Sequence, residues 1–374
     1  MSAINWLTIL QHQFISANYC PISKCCIKTK ENSGHQQGLR EPKMYSTREE
    51  SIVTTFVFLP VTTVTPFESY EWMLRGIDVM QKWWPIGQIV VGVFGNVMSL
   101  LVTTRKDNRK ISTCCFMSGL ACVDTMVLLV DACYRVAIFH GLGKGFEENF
   151  AFLSIAKFAG NAFGMTSGLF LAEMSLDRAI AVSLPMKAAS ICTASRATKV
   201  ISFTFVAMMV CNLQTFFTYE IPDPPNATLI RHIPNARWLE PFLNIGLLIF
   251  GTIIPFSVLI VCNIVIIVKV RIAASKRGKM EQKSSKSSAE NSMTIMLVMT
   301  SFAYLVCSSP LRIYETLPVY NLSEPYWAAR YSFEFWVCLV IWHLNFVVNF
   351  YIYFLCGGKK FRQDAKKVLL ICYN

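Results

Sequence analysis

Seven stretches of this chain are too long and too apolar to be core elements of a water-soluble domain. Five carry no charge at all: Ile86–Thr104, Val200–Tyr219, Pro241–Val268, Ser292–Leu311 and Phe335–Gly358. Two more, Thr113–Phe139 and Phe150–Leu184, are as long but hold isolated charges, among them Asp124, Asp131 and Arg135. A bilayer core of about 30 Å takes about 20 residues of helix to cross. Within it every backbone polar group must be satisfied inside a helix or a closed barrel, and no alternating pattern of the barrel kind occurs. Hydrophobic residues make up 53% of the 374. The chain is therefore predicted to be an all-α membrane protein. A seven-transmembrane helix bundle over residues 83–358 follows an outer tail, 1–82, with no predicted order. A short amphipathic C-terminal helix, 359–374, completes it.

Sidedness follows from the loops. Those after the first, third, fifth and seventh stretches read RKDNRK, RAIAVSLPMKAASICTASRATK, KVRIAASKRGKMEQKSSKS and KKFRQDAKK, and they hold most of the basic residues. Basic loops stay cytoplasmic, so the N-terminus is predicted outside, as in a multi-pass protein of the plasma membrane. Two glycosylation sequons, at Asn226 and Asn321, fall on the outer side. The net charge of +12 is then a signal of topology, and nucleic acid is not an expected partner. No secretory signal opens the chain; the first span is expected to direct insertion, with Met44 as an alternative start. No inverted repeat of the transporter kind is visible. No metal spacing or catalytic constellation occurs, so an enzyme is not expected.

Ionisable groups inside a membrane are costly and are functional candidates by default. Asp124 lies near the middle of the second span. Asn345, Asn349 and Tyr353, four residues apart, form one polar stripe on the seventh. Ser167 and Arg178 share a face of the third, and Asn96 sits mid-span in the first. The plain alternative is that such residues only knit helices together, but four helices contributing to one polar set argue for more.

Read in order, these residues make the chain resemble the rhodopsin-like (class A) G-protein-coupled receptors, most nearly the invertebrate-type neuropeptide receptors. The matches are Gly95-Asn96, LACVD ending at Asp124, the Asp177-Arg178-Ala179 triplet, Pro255, CSSP ending at Pro310, NFYIY from Asn349 to Tyr353, and KKFR from Lys359. The resemblance implies that Asp177, Arg178, Pro310, Asn349 and Tyr353 form the activation switch, with the acid holding the arginine at rest. It also implies an allosteric sodium ion at Asp124, Ser167, Asn345 and Asn349, and no other cofactor. The implied partners are an extracellular ligand, a heterotrimeric G protein and the lipid bilayer. Four positions depart from the pattern. Ser308 stands for the usual sixth-span tryptophan, Phe350 for the seventh-span proline, Ala179 for the residue after Asp-Arg, and Leu153 where a disulfide cysteine is expected.

The ligand is approached by elimination. His343 replaces the retinal-binding lysine of opsins and Gly160 the aspartate of aminergic receptors. The outer half is basic and aromatic: Arg135, Lys157, Arg312, Glu315, Trp336, Trp342 and His343 are the pocket candidates. Such a set suits an acidic group, because arginine makes bidentate charge-assisted bonds; intramolecular pairing, for instance with Asp131, is the plain alternative. The expected ligand is a neuropeptide. The other readings are a lipid or small organic acid as ligand, or a non-signalling decoy or heteromer partner. The serines at 284–288 are candidate phosphorylation sites. Cys372 is a candidate for palmitoylation on the terminal helix, whose Phe361, Ala365, Val368, Leu369 and Cys372 recur at helical spacing as a lipid-facing side.

Overall fold

A computed structural model describes residues 68–139, 150–220, 231–232, 248–278, 285–316 and 325–373. The chain begins there in α1 (Glu68–Gln88), which passes through a π-turn at Ile89–Val93 into α2 (Phe94–Thr103); together they are the first span. The second span is α3 (Ser112–Phe139) and the third is α4 (Phe150–Ser183). A short inner helix, α5 (Pro185–Ile191), leads into the fourth span, α6 (Ala194–Asn212), and one further turn, α7 (Thr215–Thr218). Then β1 (Tyr219–Glu220) pairs antiparallel with β2 (Arg231–His232) on the outer side. The fifth span enters through a π-turn at Ile249–Ile253 and runs on as α8 (Ile254–Gly278). The sixth is α9 (Ser285–Thr316), the seventh α10 (Pro325–Cys356), and α11 (Gly358–Tyr373) closes the chain.

Six of these helices are long and apolar enough to cross a membrane. The remaining expected span, α4, is 34 residues long and more polar for a physical reason. It packs against the second, fourth, fifth and sixth spans, so it meets protein more than lipid and needs less hydrophobicity. Around it lies the largest core cluster, in which Phe170, Leu171 and Met174 meet Leu120, Leu259, Met296 and Tyr353. Lipid tails are as apolar as leucine, so helices associate here through close packing rather than escape from water. Gly92, in the π-turn of the first span, is one such approach: a Cβ there would stand 2.5 Å from a Leu128 methyl.

Three expectations are corrected. Helix starts at Glu68, so residues 68–82 are an ordered outward extension of the first span. Its Tyr70, Met73 and Ile77 are buried against Ala329, Phe335 and Trp336 of a similarly extended α10. The sixth span begins at Ser285, which makes most of the serine cluster helical. On α11, Phe361, Ala365 and Val368 do not face lipid; they pack on Met98, Val102 and Phe350 of the first and seventh spans. Leu369 and Leu370 are its exposed apolar residues. Asn226 and Asn321 lie outside the described residues. Glu315 and Cys372 fall on helices, but their side chains are outside the description.

Candidate functional site

The polar residues of the spans sort into three sets stacked along the bundle axis. The middle set centres on Asp124, which is fully buried. The Ser167 hydroxyl of the third span donates to one carboxylate oxygen at 2.6 Å, and the Asn349 amide of the seventh donates to the other at 2.7 Å. Both donors are neutral. Asn345 is buried one turn outward on the same face as Asn349. Asn349 Oδ1, in contrast with its amide nitrogen, is buried with no hydrogen-bond partner. Asn96 ties the first span to this level by donating to the Phe346 carbonyl at 3.1 Å.

The inner set is built on Asp177 and Arg178 near the C-terminal end of α4. Asp177 accepts from the Ser112 hydroxyl at 2.8 Å and the Thr113 hydroxyl at 3.4 Å. Those two residues open α3, where unpaired N–H groups favour a nearby anion. Arg178 Nε lies 3.8 Å from the Asp177 carboxylate and also donates to the Thr113 hydroxyl. The Cys192 thiol of the inner loop donates to the Asp177 carbonyl at 3.4 Å. Burial, reinforced by the neighbouring carboxylate, pushes that thiol up to about 11. Tyr353 is buried in the core near this end. Pro310 lies inside α9, where it removes one backbone donor from the helix ladder.

The outer set is where sequence and structure part. Asp131, seven residues along α3 from Asp124, is met by an arginine of its own helix and a histidine of another. Arg135 Nε contacts its two oxygens at 3.0 and 2.8 Å, and His343 Nε2 of the seventh span lies 3.1 Å away. Gln88 of the first span donates to it at 3.2 Å. The Arg135 guanidinium also lies over the Trp336 ring, 4.4 Å from its centroid. Of the seven pocket candidates, the structure thus brings together Arg135, Trp336 and His343, but around an internal acid. Lys157 and Arg312 stand half-buried on the third and sixth spans, and neither belongs to the Asp131 set. Trp342 points across the bundle, against Gly164 of the third span, and meets Phe346 edge-on at 4.7 Å. Gln88, Ser112 and Thr113 carry no signal in the sequence that marks them as site residues. The spacing of Asp131 and Arg135, four apart on a helix, is the one available signal for the outer set.

The profile described as "7 transmembrane receptor (rhodopsin family)" aligns with residues 95–353. The chain belongs to that family. Its members are receptors rather than enzymes, and the chain is a multi-pass membrane protein. It is 24% identical over 299 residues to the FMRFamide receptor of Drosophila melanogaster, covering 76% of this chain. It is 24% identical over 288 residues to somatostatin receptor type 1 of Rattus norvegicus, covering 76% of this chain and 70% of that one. It is 22% identical over 299 residues to growth hormone secretagogue receptor type 1 of Sus scrofa, covering 76% and 79%. The match spans about half, 52%, of the FMRFamide receptor's length.

Proposed function

We propose that this receptor binds an extracellular peptide and activates a heterotrimeric G protein on the cytoplasmic side of the plasma membrane, with its N-terminus outside. The observation that carries the reading is the inner set. An arginine at a helix end, held by a neighbouring acid and one hydroxyl of α3, is a weakly retained cation beside the inner surface. Releasing it costs one long ion pair and one hydrogen bond, so a modest bias from outside shifts its population. Three relatives named for peptides or a secretagogue support the peptide class.

The Asp124 set fits a sodium ion. A hard cation takes oxygen ligands, and a carboxylate with only neutral donors, beside the unpartnered Asn349 oxygen, supplies them. Asp124, Ser167, Asn345 and Asn349 are the residues that would hold it. When bound, the ion supplies the positive charge that this level of the bundle otherwise lacks.

The test displays the full chain on cells carrying G-protein dissociation sensors and applies fractionated tissue extract with and without protease treatment. A response abolished by protease supports the peptide reading. A response that survives protease replaces it with a lipid or small acid. Silence with verified surface display speaks for a non-signalling partner.

A further inference from the structure

The third span carries glycine at every fourth position through its outer half, at Gly160, Gly164 and Gly168. Glycine weakens a helix interior, and residues four apart share one face. Two of the three are covered by aromatic side chains from other spans. A Cβ at Gly164 would stand 3.3 Å from Cζ2 of Trp342 on the seventh span, and one at Gly168 would collide with the Tyr304 hydroxyl of the sixth. Gly160 lies one turn further out, and a Cβ there would meet nothing within 4 Å. The Trp342 ring thus rests on bare backbone, with open space on the same helix face one turn outward.

Trp342 is also the junction between the outer and middle levels. Among the described residues it alone packs against both the outer cluster built on Leu311, Trp336 and Leu339 and the mid-bundle cluster built on Leu128, Phe346 and Val347. Its chain neighbour His343 belongs to the Asp131 set. Phe346, which it meets edge-on, accepts from Asn96 at its carbonyl and sits one turn before Asn349, a donor to Asp124. The ring is half-buried, so it is not enclosed on every side. The sixth span, with Ser308 one turn outward of Tyr304, supplies no ring of its own at that height.

We propose that Trp342 is the positioning residue that passes a change on the outer side to the Asp124 level, by moving along the glycine face of the third span from Gly164 toward Gly160. The inference rests on the activation reading above and names the seventh-span side chain that carries it. Bare backbone at both glycines gives the ring two seats, and packed interiors switch between discrete arrangements rather than deforming continuously. Moving the ring displaces Phe346 and the turn that bears Asn345 and Asn349, and so changes what surrounds Asp124.

The experiment labels the full chain with fluorotryptophan in lipid nanodiscs and records fluorine NMR without peptide or G protein. Trp342→Phe identifies the Trp342 signal among those of the eight tryptophans. The expected result is two exchanging Trp342 signals, with intensity moving several-fold toward the second in Gly164→Ala and unchanged in Gly160→Ala. Both variants make the same backbone change on the same face, so contact with the ring is what separates them, and a melting temperature near wild type shows that each folds. Arg178→Glu, about 20 Å further along α4 at 1.5 Å per residue, should also move the ratio, because a ring coupled to the inner end must respond to it. One signal in every variant, equal effects of the two alanines, or a ratio unmoved by Arg178→Glu overturns the proposal and leaves Trp342 as packing. A shifting ring in a receptor that activates no G protein sinks the function proposed above and keeps this inference. A static ring in a receptor that answers the tissue extract does the reverse.

Discussion

Asp124 and Asp131 stand two turns apart on one helix, are both held by the seventh span, and have opposite surroundings. Asp124 accepts from a serine and an asparagine; Asp131 accepts from an arginine and faces a histidine. The first has no cationic side chain hydrogen-bonded to it, and the second is compensated by Arg135 inside the bundle. A carboxylate buried with only neutral donors is expensive unless a cation joins it. A carboxylate that shares two oxygens with a guanidinium is a structural fastener, and breaking it strands the partner. The lesson is that a mid-membrane acid is not by itself a ligand site. Its donors decide.

The sharpest way to break this contrast is at the outer acid. Asp131→Asn leaves the buried Arg135 without its carboxylate, and we expect a loss of about 3–5 kcal/mol, read as melting temperature of the purified receptor. Adding Arg135→Met should recover much of it, since removing both charges costs far less than removing one. If the single variant melts like wild type, the fastener reading is wrong. At the inner end, Arg178→Glu should abolish G-protein activation while surface display stays normal. Intact signalling by this variant would refute the role given to Arg178. Asp124→Asn tests the middle set. Basal nucleotide exchange by wild type should fall several-fold when sodium replaces a bulky organic cation, and the variant should be insensitive. A wild type equally insensitive removes the ion from the account. Gly358→Ala combines a left-handed backbone, φ +76°, with a Cβ that would meet the Ser292 hydroxyl at 2.7 Å, and should cost about 1–2 kcal/mol without changing sodium sensitivity. Glu71→Gln breaks an exposed pair to Arg75 on the outer extension; its effect should stay within about 0.5 kcal/mol, which bounds what surface pairing contributes here.

The middle and inner sets are legible in the sequence, because each rests on residues that are anomalous where they stand. An aspartate in LACVD, two asparagines four apart, and an Asp-Arg pair ending an apolar run announce themselves against lipid. The outer set is half legible. Sequence points to Arg135, Trp336 and His343, but as parts of an open basic pocket. The missing partner is Gln88, an uncharged residue in a clean apolar run. Its side chain reaches Asp131 where the first span packs closely on the second, at Gly92 against Leu128. The terminal helix teaches the same point from the other side. Its apolar spacing marks one face as buried, but spacing does not say against what. Met98, Val102 and Phe350 cover that face in place of lipid.

What the sequence determined by itself is the number of spans and the family, because the bilayer permits one solution for runs of this length. What only the tertiary structure decided is which charges are spoken for. Lateral packing in a membrane is set by contacts between residues far apart in the chain, with no hydrophobic pattern to mark them. So the set that His343 and Gln88 complete around Asp131 exists only once the helices have met.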